Sequence, residues 1–230
     1  MALVPYAAGS HGALAALHCP AATFRFAGRP LRIRQRWAQL GVAAVVWDAA
    51  VVLSTFLEAG SIDLRDRHVL ELGAGTGLPG IVAALLGKRG RSPRRVPAGA
   101  RVTLTDRADA LELLEANVRD NLPPEALPRA AVRELAWGQG LGAFPAGAFD
   151  LVLGSDIVYL EETFAALLRT LEHVCAARTL VLLACRLRYE RDHRFLRLLR
   201  ARFAVRELLH DAGTDVRIYE ARKAARGDEL

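Results

Sequence analysis

Apolar and polar residues alternate between positions 23 and 35. Phe24 and Phe26 are answered by Leu31 and Ile33 around Gly28-Arg29-Pro30, which predicts a β-hairpin with one buried face. The period then changes. Residues 48–59 carry helical spacing behind an aspartate, and from position 68 short apolar runs alternate with helical ones. Strands are expected at 68–72, 101–105, 130–135, 149–154 and 179–184, and helices at 78–87, 108–122 and 161–176. The second of these helices stops at Pro123-Pro124. Such alternation predicts an α/β fold with a mostly parallel sheet covered by helices on both faces. The end of the chain departs from it, because 203–209 and 215–220 are both strand-like and a short Asp-Ala-Gly-Thr turn joins them. That pair is predicted to be an antiparallel hairpin.

Length and composition narrow this picture. A chain of 230 residues holds one sizeable core, so a single domain over 1–230 is expected, with the hairpin and first helix at about 20–60 as its N-terminal part. No apolar run approaches the roughly 18 residues of a membrane helix, and a soluble cytoplasmic protein is expected, with the nucleus as a second compartment. Cys19, Cys175 and Cys185 are too widely spaced for a metal site and suit a reducing compartment. The net charge of +6 invites a nucleic-acid reading, but residues 88–100 hold five basic and no acidic residues, which leaves +1 for the rest. This basic insert is expected to be a disordered surface loop. Nucleic acid is therefore not the expected partner.

The candidate chemistry begins at Glu71-Leu72-Gly73-Ala74-Gly75-Thr76-Gly77-Leu78-Pro79-Gly80, between a predicted strand and a predicted helix. Glycines there permit positive φ and close ligand approach, and the helix N-terminus offers free N–H groups. Gly75, Gly77 and Gly80 also satisfy the dinucleotide pattern. Two features oppose a dinucleotide: the helix should have begun before Gly80, and Glu71 stands where it could meet a cationic ligand. A nucleoside with a charged amino-acid tail fits better. Asp106, after the next strand, is placed for ribose hydroxyls, with a helix N-cap as the alternative. Asp156 follows another strand, at the carboxyl end where open α/β sheets keep their sites. Trp47 and Trp137 read as core residues on sequence alone, His68 and His173 as packing residues, and Arg188, Arg191, Arg194 and Arg197 as the solvated face of a helix, with partner binding as the alternative.

The run from Glu71 to Gly77, followed by a strand ending in aspartate, resembles the seven-stranded S-adenosylmethionine-dependent methyltransferases, whose Rossmann-like sheet ends in an antiparallel hairpin. Gly41 to Ala50, Leu135-Ala136-Trp137-Gly138 and Leu153 to Phe164 narrow the resemblance to the methyltransferase-like protein-lysine methyltransferases, over nearly the whole chain. With Met-Ala-Leu-Val-Pro-Tyr at the start and Cys-Arg-Leu-Arg-Tyr-Glu-Arg at 185–191, the likeness within that family is to members acting on heat shock protein 70 chaperones. The resemblance implies S-adenosyl-L-methionine as cofactor, those chaperones as substrate and a monomer. It also implies a cofactor site of Trp47, Glu71, Gly73, Ala74, Gly75, Asp106, Trp137 and Ser155, where relatives usually carry alanine at the last position. Asp156 and Tyr159 then form the Asp-x-x-Tyr motif at the methyl-transfer end.

A carboxylate suits a lysine substrate, whose amine has a free pKa near 10.4 and must lose a proton before it attacks. Asp156 is expected to receive and orient the ammonium while Tyr159 walls the channel. Orientation of this kind supplies much of the catalysis without a strong base. Glu161 and Glu162 are expected to add local negative charge. Two alternatives stay open: a nucleic-acid or small-molecule methyltransferase on the same fold, and a non-catalytic chaperone-binding module.

Overall fold

The computed structural model describes residues 18–86 and 99–223. Most of the basic insert lies outside the described residues, so the expectation of a disordered loop is not addressed. An antiparallel pair opens the fold, β1 (Ala21–Phe26) and β2 (Arg29–Arg34). Ala27 and Gly28 turn the chain at φ of 50° and 74°, a two-residue turn lying just before the predicted one. A single helical turn, Trp37–Leu40, and a tighter one, Gly41–Ala44, lead to α1 (Asp48–Glu58).

The main sheet then assembles from β3 (His68–Leu72), β4 (Arg101–Asp106), β5 (Ala130–Glu134), β6 (Leu151–Ser155), β7 (Leu180–Cys185), β8 (Phe203–Asp211) and β9 (Val216–Lys223). Its order is β5-β4-β3-β6-β7-β9-β8, parallel from β5 to β7 and antiparallel at β9 and β8. This is the predicted architecture. The connecting helices are α2 (Leu78–Leu85), α3 (Leu111–Asn121), α4 (Phe164–Val174) and α5 (Glu190–Arg200).

Strands covered on both faces are buried along nearly their whole length, as β3 is after His68 and β6 is before Ser155. Val69, Leu104, Leu151 and Leu153 enter a core shared with α1, α2, α3 and the hairpin. Leu70, Leu72, Val152 and Leu183 enter a second core with α4 and α5. His68, the first residue of β3, is exposed rather than packed, because it stands where the chain enters the sheet at the amino ends of the parallel strands. The chain winds outward from β3 to β5 and returns to β6 beside β3, so the loops leaving β3 and β6 diverge and open a crevice at their carboxyl ends.

No helix among the described residues is long and apolar enough to cross a membrane.

Candidate active site

The crevice is a cavity of about 490 Å³ at the carboxyl ends of β3, β4, β6 and β7. Trp47, Gly73, Ala74, Gly75, Asp106, Trp137, Ser155, Asp156 and Tyr159 all line it. Residues from six separate stretches of chain converge there.

The glycine turn shapes one wall. Gly73 has φ of 59°, and a Cβ on it would lie 2.8 Å from Ile157 Cγ2 and 3.1 Å from Trp137 Cζ2, so only glycine leaves this cradle open. Asp106 braces the turn from below: its Oδ2 accepts from the Gly75 amide at 2.7 Å and its Oδ1 from the Arg107 amide at 2.7 Å. Each oxygen keeps a second lone pair for the cavity. Burial raises the Asp106 pKa from its ordinary value, against the pull of the two amides. Trp47 is held as a plate by its Nε1, which donates to the Val42 carbonyl at 2.8 Å. Gln35, buried beneath, accepts the Val46 amide at 2.9 Å and ties that segment to the hairpin.

Glu71 is the exception among the expected cofactor residues. Alternation along β3 turns it onto the α2 side, where it is 1% exposed and outside the cavity lining. Its Oε2 accepts the Gly80 amide at 3.0 Å and its Oε1 has no partner, so it serves the start of α2. Burial pushes its carboxyl up to about 8, against the Gly80 amide and with the neighbouring Asp106 charge. Gly80 lies inside α2, and a Cβ on it would collide with this carboxylate and with Leu104. The third glycine of the motif thus serves helix-to-strand packing and not a phosphate.

At the other end of the cavity Asp156 leaves β6 with φ of 53°, a conformation costing about 1–3 kcal/mol for a residue other than glycine and concentrated at functional sites. It is locked there by its own amide, which donates to the Ala184 carbonyl at 2.8 Å. Burial pushes the Asp156 carboxyl up to about 6, although Arg188, Arg186 and the Arg186 amide pull the other way. The Tyr159 phenol is also raised, chiefly by burial, and stays protonated at neutral pH.

The arginines beyond β7 were not foreseen as site residues. Arg188 precedes α5 and Arg191 lies in its first turn, and both line the cavity, as does Arg186. Buried Asp192 fixes this loop, its Oδ2 accepting the Arg188 amide at 2.8 Å and the Tyr189 amide at 2.9 Å. The carboxyl end of β7, beside β6, was the available signal. Only Arg194 and Arg197 form the expected solvated face, paired with Glu161 and Glu190. Glu161 is therefore not free to attract a cation.

Comparison with known proteins gives the same fold and a narrower family. A sequence profile described as lysine methyltransferase matches residues 25–202. The protein N-lysine methyltransferase METTL21A of Mus musculus is 53% identical over the full length of both chains. EEF1A lysine methyltransferase 3 of Mus musculus is 44% identical over 86% of this chain and 81% of that one. Among solved structures, a TehB-like SAM-dependent methyltransferase from Corynebacterium glutamicum superimposes with a TM-score of 0.52 at 14% identity, over 82% of this chain and 95% of that one.

Proposed function

Because the chain belongs to the lysine methyltransferase family, we propose that it methylates lysine in heat shock protein 70 family chaperones, acting as one methyltransferase domain over 1–230 and as a cytoplasmic, secondarily nuclear, monomer. The enzyme is a protein N-lysine methyltransferase with S-adenosylmethionine as its cofactor. When bound, that cofactor supplies an electrophilic methyl group on a sulfonium.

The site's residues fit such a group. Gly73 leaves a cradle that any Cβ would fill, Trp47 and Trp137 offer flat apolar walls, and Asp106 has lone pairs for ribose hydroxyls. We assign Trp47, Gly73, Ala74, Gly75, Asp106, Trp137 and Ser155 to the cofactor and Asp156 and Tyr159 to the transfer end.

One observation carries the reading: a half-buried carboxylate, Asp156, shares a single cavity with the cofactor cradle and stands beside an aromatic wall. With a pKa of about 6 it is ionised at neutral pH and holds the incoming ammonium. Burial against Tyr159 and the positive charges of Arg188 and Arg186 favour the neutral amine, whose proton leaves to water.

The test is to incubate the protein and labelled cofactor with a purified heat shock protein 70 chaperone, elongation factor 1A and a whole-cell lysate. Label on a chaperone lysine, lost in Asp156→Ala with cofactor affinity kept, is the expected result. Label on elongation factor 1A alone would move the substrate to that of the second relative.

A further inference from the structure

The cavity mouth carries features that holding a lysine side chain does not explain. Three large apolar residues are exposed among the described residues, and two of them, Leu160 (38%) and Tyr189 (51%), stand on this rim. Arg191 lies over the Tyr189 ring at 4.4 Å, which keeps its guanidinium at the mouth. Its Nε is 3.7 Å from Asp192 Oδ1, too far for a hydrogen bond. The Nε atoms of Arg188 and Arg191 are both buried and have no hydrogen-bond partner.

A buried donor without an acceptor is unfavourable, so these two sites are arranged for something that arrives. Of the neighbouring anions, Asp156 meets Arg188 through its charge without an ion pair, Asp192 Oδ1 stays 3.7 Å from Arg191, and the remaining groups are committed elsewhere. Asp192 Oδ2 is taken by two backbone amides, Glu161 by Arg194 and Asp48 by Arg186. Two further considerations exclude a floppy surface. The loop holding Arg188 and Tyr189 is pinned by buried Asp192, and guanidinium planes match carboxylates in a forked geometry that a lysine ammonium cannot offer.

We propose that this rim docks a polypeptide segment bearing carboxylates beside the target lysine. Arg188 and Arg191 pair with the flanking aspartates or glutamates, and Leu160 and Tyr189 seat the chain between them. The proposal rests on the reading of the site as that of a protein-lysine methyltransferase. It makes the enzyme selective for lysines in acidic surroundings although its own net charge is positive.

The experiment uses the full-length protein with saturating cofactor and three synthetic peptides containing one central lysine, flanked by glutamates, alanines or arginines. Each competes with methylation of lysate proteins, and a short RNA oligonucleotide serves as a fourth competitor. Lysate labelling by itself tests the underlying reading, and the order of competitors tests the docking proposal. The glutamate-flanked peptide is expected to compete at least tenfold better than the alanine peptide, and the arginine peptide worst. Arg188→Glu with Arg191→Glu should reverse that order at unchanged Tm. Arg188→Gln with Arg191→Gln, a milder pair, should abolish the preference. Equal competition by the three peptides, absence of competition by any, persistence of the preference in either variant, or competition by the oligonucleotide alone would each overturn the proposal.

Discussion

At the scale of single residues, neighbours in sequence divide between the two tasks of the glycine turn. Gly73 opens toward the cavity, whereas Glu71, two residues earlier, faces α2: Glu71 shares the Val69 face of β3, and Gly73 lies past the end of that strand, where a φ of 59° breaks the alternation. The residue type and its place beside the glycines suggested a ligand contact, but the face on which it falls was not read from the strand period. With its carboxyl pushed from the ordinary 4.5 up to about 8, Glu71 binds its proton more tightly folded than unfolded. The sign follows: its contribution to stability is fully present below about pH 4.5 and is lost as pH rises toward 8. Glu71→Gln lacks that titration, so the Tm difference between variant and wild type should move in the variant's favour from pH 4.5 to 8, with cofactor affinity unchanged. A pH-independent Tm difference in scanning calorimetry would refute the assignment. Asp156 gives the complementary case, since its charge is wanted. Methylation should fall as pH drops through about 6, where the carboxyl takes up its proton and releases the ammonium. Asp156→Asn should be slow at every pH and lack this acidic limb, a difference that rate profiles from pH 5 to 8 will resolve.

Among the elements, the strand and helix runs were legible to within a few residues because periods of 2 and 3.6 leave different apolar spacings. Less visible were the tight turns at Ala108–Ala110 and Glu161–Thr163, which begin stretches expected to be uniformly helical. Docking of the N-terminal hairpin left no pattern at all. It depends on Asn117 and Asn121, one turn apart on α3, which act like an added strand on the free edge of β2. Asn117 accepts the Arg34 amide at 2.8 Å and donates to the Arg34 carbonyl at 3.2 Å and the Thr76 carbonyl at 3.0 Å. Asn121 makes the equivalent pair with Arg32, at 2.8 and 3.0 Å, in a more exposed place. Asn117→Ala should therefore cost about 1–3 kcal/mol, the range for buried groups left unpaired, while Asn121→Ala, where water can substitute, costs about 0.5–1 kcal/mol. Because Gln35 links the same hairpin to the Trp47 segment, Asn117→Ala should also weaken cofactor binding. Denaturant titration and calorimetry measure the two effects, and equal stability losses at both positions would contradict the edge-capping account.

For the whole molecule, charge and catalysis are predicted to separate along the strand direction. Five of the positive charges fall in residues 88–100, whereas every site residue lies at the carboxyl ends of the parallel strands or in the segments that follow them and Trp37–Leu40. Strand order follows from the path of the chain, which local patterning does not encode, whereas the rule that open α/β sheets keep their sites at the carboxyl ends of strands placed the crevice. The described residues flanking the insert are at the opposite end. Leu86 closes α2, and Arg101 begins β4 beside His68, the first residue of β3. They also meet: the Ala100 amide donates to the Ala83 carbonyl at 3.2 Å, and Gly99 packs so closely on Ala84 that a Cβ would overlap its carbonyl. A short connection can close such a gap, and halving a loop alters closure entropy by only about 0.6 kcal/mol. Replacing residues 88–98 with a short glycine-serine linker should leave Tm, cofactor affinity and chaperone methylation within twofold of wild type. Any RNA binding should weaken with its salt dependence, since counterion release scales with the basic residues engaged. A large loss of methylation with fold and cofactor affinity intact would show that the basic segment recruits the protein substrate, and would join the two ends of the molecule in one function.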